Sequence, residues 1–234
     1  MRNLLLVVLT YLVLSYTNMF AESIKFIDSG IALLNQDETE EYNIIGNGNY
    51  ITKTYRLPVI SSFTLESVNN VEIFFSRDCR VEIDADENIL EIMDVSAPDG
   101  NLSIQSNDSY TTSNDIVFRI YTSTLSEIYM HGSGDIRVND LVIKSLYLSM
   151  TGVGNISITG RTESLIIQSD GAGNIDCSNF DSNNVEITLG GVGDIDVIAK
   201  KHLKIVHDGS GIINYWGNPE TEIQHEGVGE IIGN

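Results

Sequence analysis

A five-residue phrase recurs six times in the second half of this chain. It reads Gly-Ser-Gly-Asp-Ile at 132, Gly-Val-Gly-Asn-Ile at 152, Gly-Ala-Gly-Asn-Ile at 171, Gly-Val-Gly-Asp-Ile at 191, Gly-Ser-Gly-Ile-Ile at 209 and Gly-Val-Gly-Glu-Ile at 227. Successive first glycines stand 20, 19, 20, 18 and 18 residues apart. Self-similarity at that period is the signature of a solenoid, in which a repeat cannot bury its apolar face alone and stacks on its neighbours. A repeat this short has no room for two strands plus a helix, but it suffices for one turn of a β-helix.

Alignment on the first glycine shows what each coil supplies. Four residues before it stand Ile128, Leu148, Ile167, Ile187, Ile205 and Ile223; four residues after it stand Ile136, Ile156, Ile175, Ile195, Ile213 and Ile231. Six residues after it stand Val138, Ile158, Cys177, Val197, Tyr215 and Gly233. Polar residues such as Arg137, Ser157, Asp176 and Asp196 alternate with these columns. Alternation of this kind is a strand with one face in and one face out. Each repeat therefore holds a strand, a glycine corner and a second strand. Coils paired in parallel about 4.8 Å apart turn the columns into interior ladders. Each ladder side chain is worth about 1.5–3 kcal/mol before entropy is counted. The glycines have a backbone reason, because a corner often needs positive φ and a residue without Cβ lets stacked corners approach closely. No helix pattern follows any copy and no glycine is followed directly by a Lys-Ser/Thr pair, which argues against a phosphate-cradling loop.

Upstream the texture differs. Residues 1–21 read as a secretory signal, with Arg2 as the positive start, Leu4–Leu14 as the apolar core and Met19-Phe20-Ala21 before the cleavage point. That run is short for a membrane span, and no later segment could cross a bilayer as a helix. Residues 22–44, with the acidic cluster Asp37 to Glu41, form a lead-in. Residues 45–125 form an irregular β segment. Alternating runs appear at Tyr50–Arg56, Phe63–Ser67, Val71–Phe75, Cys79–Ile83, Leu102–Gln105 and Ile116–Tyr121, with turn signals between them and a possible helical turn over Glu87–Met93. This segment is expected to cap the first coil of the repeats at 126–234. At the other end, the last coil is expected to present an open parallel edge, a place where a second copy could associate.

The chain carries 33 Asp and Glu against 13 Lys and Arg, a net charge of −20, and loss of Arg2 with the signal would make it −21. Such a surface repels nucleic acid and anionic membrane. It suits a soluble exported protein, or one that meets cations.

The pattern resembles the family known as the putative auto-transporter adhesin head GIN domain, over roughly residues 45–234. Four features carry the resemblance: Gly46-Asn47-Gly48 followed by Thr52–Arg56 and Phe63; Val81-Glu82-Ile83 with Asp86-Glu87-Asn88 and later Gly100–Ile104; the repeated Gly-x-Gly-Asp/Asn-Ile; and Tyr215–Pro219 with a final Gly-x-Gly. The resemblance implies an exported protein with a right-handed parallel β-helix, and it supplies no catalytic residues. The chain departs from the family by placing His131, Thr151, Asp170, Gly190, Asp208 and Glu226 before the first glycines, where serine is usual.

Several constellations could carry chemistry. The outward columns beside the ladder isoleucines bring Asn174, Asp176, Asp194 and Asp196 into one patch on adjacent coils, with Asp170 and Asp208 near the corners. Clustered oxygens suit calcium, although the aspartate position differs from that of the nonapeptide calcium β-roll; solvated surface charge is the plainer reading. Asp176 and Asp196 one coil apart would also suit a retaining polysaccharide-cleaving pair, yet any stacked pair has that spacing. His207 and His225 share one inward column, which reads as a polar end to the core rather than a zinc site. Cys79 and Cys177 fall in apolar phase and read as small core residues rather than a disulfide. No Gly-x-Ser-x-Gly elbow is present.

The expectation is an all-β chain: a right-handed parallel β-helix of about six coils, preceded by an irregular β segment that caps it. The expected role is non-enzymatic, that of an adhesin-like binding or structural module that is secreted, periplasmic or on the cell surface. Its expected partners are protein or glycan surfaces.

Overall fold

Each coil is built from two strands that meet at a glycine corner and a short third side that links one coil to the next. The computed structural model describes residues 43–66 and 69–234, so the signal over 1–21 and nearly all of the lead-in lie outside the described residues. Asn43–Asn234 is one compact unit.

In chain order the irregular segment supplies β1 (Ile44–Ile45), β2 (Tyr50–Arg56), β3 (Ser62–Leu65), β4 (Asn70–Phe75), β5 (Arg80–Asp86), helix α1 (Glu87–Glu91), β6 (Met93–Ser96), β7 (Asn101–Ser106), β8 (Tyr110–Thr111) and β9 (Val117–Thr122). The repeats follow as β10 (Glu127–Met130), β11 (Ile136–Met150), β12 (Ile156–Ser169), β13 (Ile175–Leu189), β14 (Ile195–His207), β15 (Ser210–Trp216), β16 (Glu220–His225) and β17 (Val228–Gly233). The long strands β11 to β14 bend around the coil rather than crossing it. Register shifts between Val138 and Leu141, and again between Cys177 and Asp181, mark the bends. We call the side that runs into the glycine corner face A and the side that leaves it face B.

The ladders lie where the repeat alignment places them. Ile136 pairs with Ile156, Ile156 with Ile175, Ile175 with Ile195 and Ile195 with Ile213, all parallel and all buried. On face A, Ile128, Leu148, Ile167, Ile187 and Ile205 are likewise buried, whereas Ile223 on the last strand of that face is 45% exposed. Six glycine corners bound five turns, so the solenoid has about five turns rather than the six expected.

Both reasons for glycine hold at its second position in the corner, and close approach alone at its first. The second glycine of each corner has positive φ, as at Gly154 (143°) and Gly173 (144°). The first does not, yet a Cβ at Gly152 would collide with the carbonyl of Gly132 in the coil above, and one at Gly171 with that of Gly152. Stacked corners are in backbone contact, and only a residue without a side chain fits there.

The irregular segment continues the stack out of sequence order. β3 pairs in parallel with β10, and β4 with the start of β11, so these two strands form the rung above the first repeat. β7 pairs with β3 and β9 with β4, adding a further rung. Val71 and Phe118 thereby extend the Ile136 ladder. Parallel pairing then stops: β6 runs antiparallel to β7, β5 to β9 and β2 to β5. Helix α1 joins β5 to β6, with Ile89 and Leu90 fully buried in the core. Lys53 Nζ and Tyr55 Oη donate to the carbonyl of Leu90, which ends the helix. The cap expected from sequence is therefore two out-of-order rungs, an antiparallel margin and an apolar plug. Gly46–Tyr50 is a turn leading into β2, held by Asn47 accepting from the backbone N–H of Asn49.

At the far end Tyr215 takes the inward position that Val197 holds one coil earlier, and packs against the core. A side chain at Gly233, its partner in β17, would strike the Tyr215 ring. The ring fills the space of two ladder residues. Trp216 lies beside it in sequence but stays partly exposed, in register with Ile198.

Candidate binding surface

Face B carries the acidic columns singled out from the sequence. Asp176 and Asp196 are register partners on adjacent coils, and Asn174 and Asp194 occupy the neighbouring column. Most of their oxygens have a structural task. The side chain of Asn70 accepts a hydrogen bond from the backbone N–H of Asp135 (2.9 Å). Asp135 accepts from the N–H of Asn155 (3.1 Å), Asn155 from Asn174 (3.3 Å), Asn174 from Asp194 (2.9 Å) and Asp194 from Ile212 (2.8 Å). Backbone N–H groups at the mouth of each corner need an acceptor, and this side-chain ladder supplies one from the coil above. Asp or Asn after the second glycine is thus a stacking device. In the next column Asp176 accepts from the N–H and hydroxyl of Ser178, and Asp196 accepts from the amide of Asn214. Calcium takes six to eight oxygens; among the described residues no group of three or more His, Cys, Asp or Glu could hold a metal ion.

At the capped end of face B the outward side chains lock the antiparallel margin. Arg80 donates to Glu82 (2.9 Å) and lies over the Tyr121 ring, 3.7 Å from its centroid. Tyr121 in turn stacks on Phe74. Arg119 reaches Asp84 (2.7 Å). The hydrogen bond from Arg80, ahead of all other influences, holds the Glu82 carboxyl below its usual range. These charges are satisfied by one another.

Face A is chemically different. Its central outward column, three residues before each first glycine, reads Tyr129, Ser149, Gln168, Thr188, Val206 and Gln224. No member is charged, in a chain whose net charge is −20. Tyr129 and Tyr147 lie diagonally across β10 and β11 with ring centroids 5.7 Å apart, and the His131 ring lies over Tyr129 at 6.2 Å. Tyr129 Oη donates to Glu127 (3.0 Å) and Tyr147 Oη to Gln168 (3.0 Å), so both rings are fixed. Burial and then the Glu127 carboxylate push the Tyr129 hydroxyl above its ordinary pKa. Further along the same face an open groove of about 410 Å³ runs over Ser164, Ile166, Asn184, Glu186, His202 and Lys204. Glu186 and Lys204 pair at 2.6 Å within it. Sequence reasoning did not single out this face. The absence of charge three residues before the glycines was the available signal.

The remaining candidates resolve simply. Both cysteines are free; Cys177 is buried and Cys79 half-buried, and burial raises both thiol pKa values. His207 is fully buried and His225 exposed.

A family model described as "putative auto-transporter adhesin, head GIN domain" matches residues 64–219, which span the out-of-order rungs and most of the solenoid. The chain belongs to that family. A crystal structure of a putative adhesin from Bacteroides fragilis NCTC 9343 is similar, with a TM-score of 0.69 and 26% identity over 82% of this chain and 100% of that one. A putative adhesin from Parabacteroides merdae ATCC 43184 matches with a TM-score of 0.47 and 17% identity over 81% of this chain and 99% of that one. A putative lipid binding protein from Parabacteroides distasonis ATCC 8503 gives a TM-score of 0.47 and 20% identity over 82% and 96%. No curated protein matches. Among the described residues no helix is long and apolar enough to cross a membrane.

Proposed function

We propose that this head GIN domain protein is exported and acts without catalysis, holding rigid solenoid faces against a glycan or protein surface outside the cytoplasm. The observation that carries this reading is the coincidence of the adhesin-family match at 64–219 with the rigid array itself. The ladders fix every outward column at strand spacing, so a partner meets a preformed surface and loses little affinity to ordering it. Oxygens of Asn174 and Asp194 accept from backbone N–H groups, and those of Asp176 and Asp196 from Ser178 and Asn214, which supports reading this face as a rigid scaffold. A second copy docking on the last coil, where Ile223 is 45% exposed, is a secondary contact within the same reading.

Two measurements test it. Protease treatment of intact native cells should degrade the protein if it stands on the surface, and osmotic release should free it if it is periplasmic; recovery with the cytosol would overturn export. Beads coated with the purified protein should be retained on mucin or bacterial cell-wall surfaces above albumin-coated beads. Equal retention would overturn the adhesive role.

A further inference from the structure

We infer that the outer surface of face A is a binding site for an uncharged polysaccharide laid along the solenoid axis, with Tyr129 and Tyr147 as its stacking platform. The inference rests on the adhesive reading above and names its ligand class and its face.

Three observations converge. First, the central column of face A has no charged residue from Tyr129 to Gln224, and the columns that border it carry mainly carboxylates, Glu127, Glu186 and Glu222 on one side and Asp170, Asp208 and Glu226 on the other. An uncharged column between acidic borders suits a neutral, hydroxyl-rich partner and repels an anionic one. Uronate-bearing or sulfated chains are disfavoured by the surrounding charge. Second, the platform has the chemistry that sugars need. Pyranose rings present C–H faces that pack on aromatic rings, and equatorial hydroxyls that require donors and acceptors beside those rings. Here two tilted tyrosines 5.7 Å apart are bordered by Glu127, Gln168 and the His131–Thr151 pair, whose hydrogen bond is 2.7 Å long. Both hydroxyls are tied down, so little ring freedom is lost on binding. Third, the periodicity matches. Coils repeat at about 4.8 Å, close to the length of one residue in an extended β-linked glycan. Successive sugars would therefore meet successive coils, at Tyr147, Gln168 and Thr188. The groove over Ser164, Asn184 and His202 continues along the same face, bordered by Glu186, Lys204, Glu220 and Glu222, whose charged groups offer sugar hydroxyls further hydrogen-bond partners.

A protein ligand fits these features less well. Protein hot spots sit in a fully desolvated centre, and here the two tyrosines are bordered by Glu127, Gln168 and the His131–Thr151 pair.

The test is affinity electrophoresis of the full chain through gels containing soluble glucomannan, mixed-linkage β-glucan or arabinoxylan, with polygalacturonate as the anionic comparison. At least one neutral polymer should retard the wild type, and polygalacturonate should not. Tyr147→Ala should weaken the retarding interaction about fivefold to tenfold, a size expected for one lost stacking ring. Gln168→Ala, at an exposed position, should weaken it about threefold and guards against a Tyr147→Ala chain that fails to fold. Asp176→Asn on face B should leave it unchanged. Failure of every neutral polymer to retard the wild type, or retardation indifferent to both face A substitutions, would overturn the inference. Bead retention run in parallel separates the two readings. Wild-type beads that still adhere while no glycan binds would sink the glycan alone, and loss of both would sink the adhesive role with it.

Discussion

The imidazole of His207 lies face to face with that of His225, with ring centroids 4.6 Å apart and planes 13° from parallel; neither nitrogen of His207 has a hydrogen-bond partner among the described residues. His207 follows Leu189 in the inward column of face A, so burial forces it to be neutral. Burial first, and the neighbouring His225 second, lower its pKa, while Asp208 opposes them weakly. The unfolded chain therefore binds this proton more readily than the folded one. The stability that neutral His207 permits is complete above its unfolded pKa, near 6.5, and is lost as pH falls from there toward the depressed folded value. Thermal melts should show a lower midpoint at pH 5.5 than at pH 7.5. His207→Leu, which matches Leu189 in the column, should flatten that dependence and stabilise the protein at neutral pH by about 1 kcal/mol, since two unpaired polar atoms leave the core. A pH profile unchanged by His207→Leu would place the acid sensitivity elsewhere.

The corner glycines give a prediction with an internal control. Gly171 has no positive φ, so Gly171→Ala tests close approach alone, against the carbonyl of Gly152. Gly48 has φ 75° with nothing near its absent Cβ, so Gly48→Ala tests backbone strain alone. Strain of that kind costs about 1–2 kcal/mol. The collision cannot be relieved without separating two coils, and should cost about 3 kcal/mol or more. Chemical denaturation should rank the variants in that order. A Gly171→Ala chain as stable as Gly48→Ala would mean that the corners are not in backbone contact.

Why so much of this fold was legible, and where legibility ended, follows from what a repeat can encode. The columns from Ile128 and Ile136 onward were readable because the same environment recurs six times, and independent copies agree on what it demands. The rungs built by β3, β4, β7 and β9 were not, because each is a single instance. Their place in the stack depends on pairing across long sequence separations, such as Val71 with Phe118 and Ile136, and no period announces it. The outward surfaces differ in legibility for a related reason. Asp176 and Asn174 stand out in the sequence as polar residues in register, whereas the central column of face A is marked only by the absence of charge between charged neighbours. Turning such a column into a surface requires knowing which way it faces.

The side-chain ladder on face B can be dismantled one step at a time. Asn174→Ala removes the acceptor that the backbone N–H of Asp194 uses, at an exposed position where water can substitute. The cost should be about 0.5–1 kcal/mol. Asn174→Asp keeps an acceptor oxygen, as Asp135 and Asp194 do naturally, and should cost less. Since the ladder occupies oxygens of Asn174 and Asp194, and Asp176 and Asp196 have partners of their own, the melting temperature should be the same in millimolar calcium and in chelator. A rise of several degrees in calcium that Asp176→Asn abolishes would restore the metal reading.

Closure of the capped end depends on the single turn of helix α1. Leu90 is fully buried, and its carbonyl accepts from Lys53 and Tyr55 of β2, so the plug is fastened to the antiparallel margin on both apolar and polar sides. Leu90→Ala should cost about 2–4 kcal/mol, the usual range for a cavity left in a packed core. Because coils stabilise one another only through their interfaces, loosening this end should raise hydrogen exchange first in β2, β5 and β9 and leave β12 and β13 protected. A Leu90→Ala protein whose exchange rises evenly along the whole stack would show that the solenoid melts as one unit and that α1 is not a local cap. Uneven exchange confined to the margin would establish that the glycine-cornered coils keep their fold once the first rungs have formed.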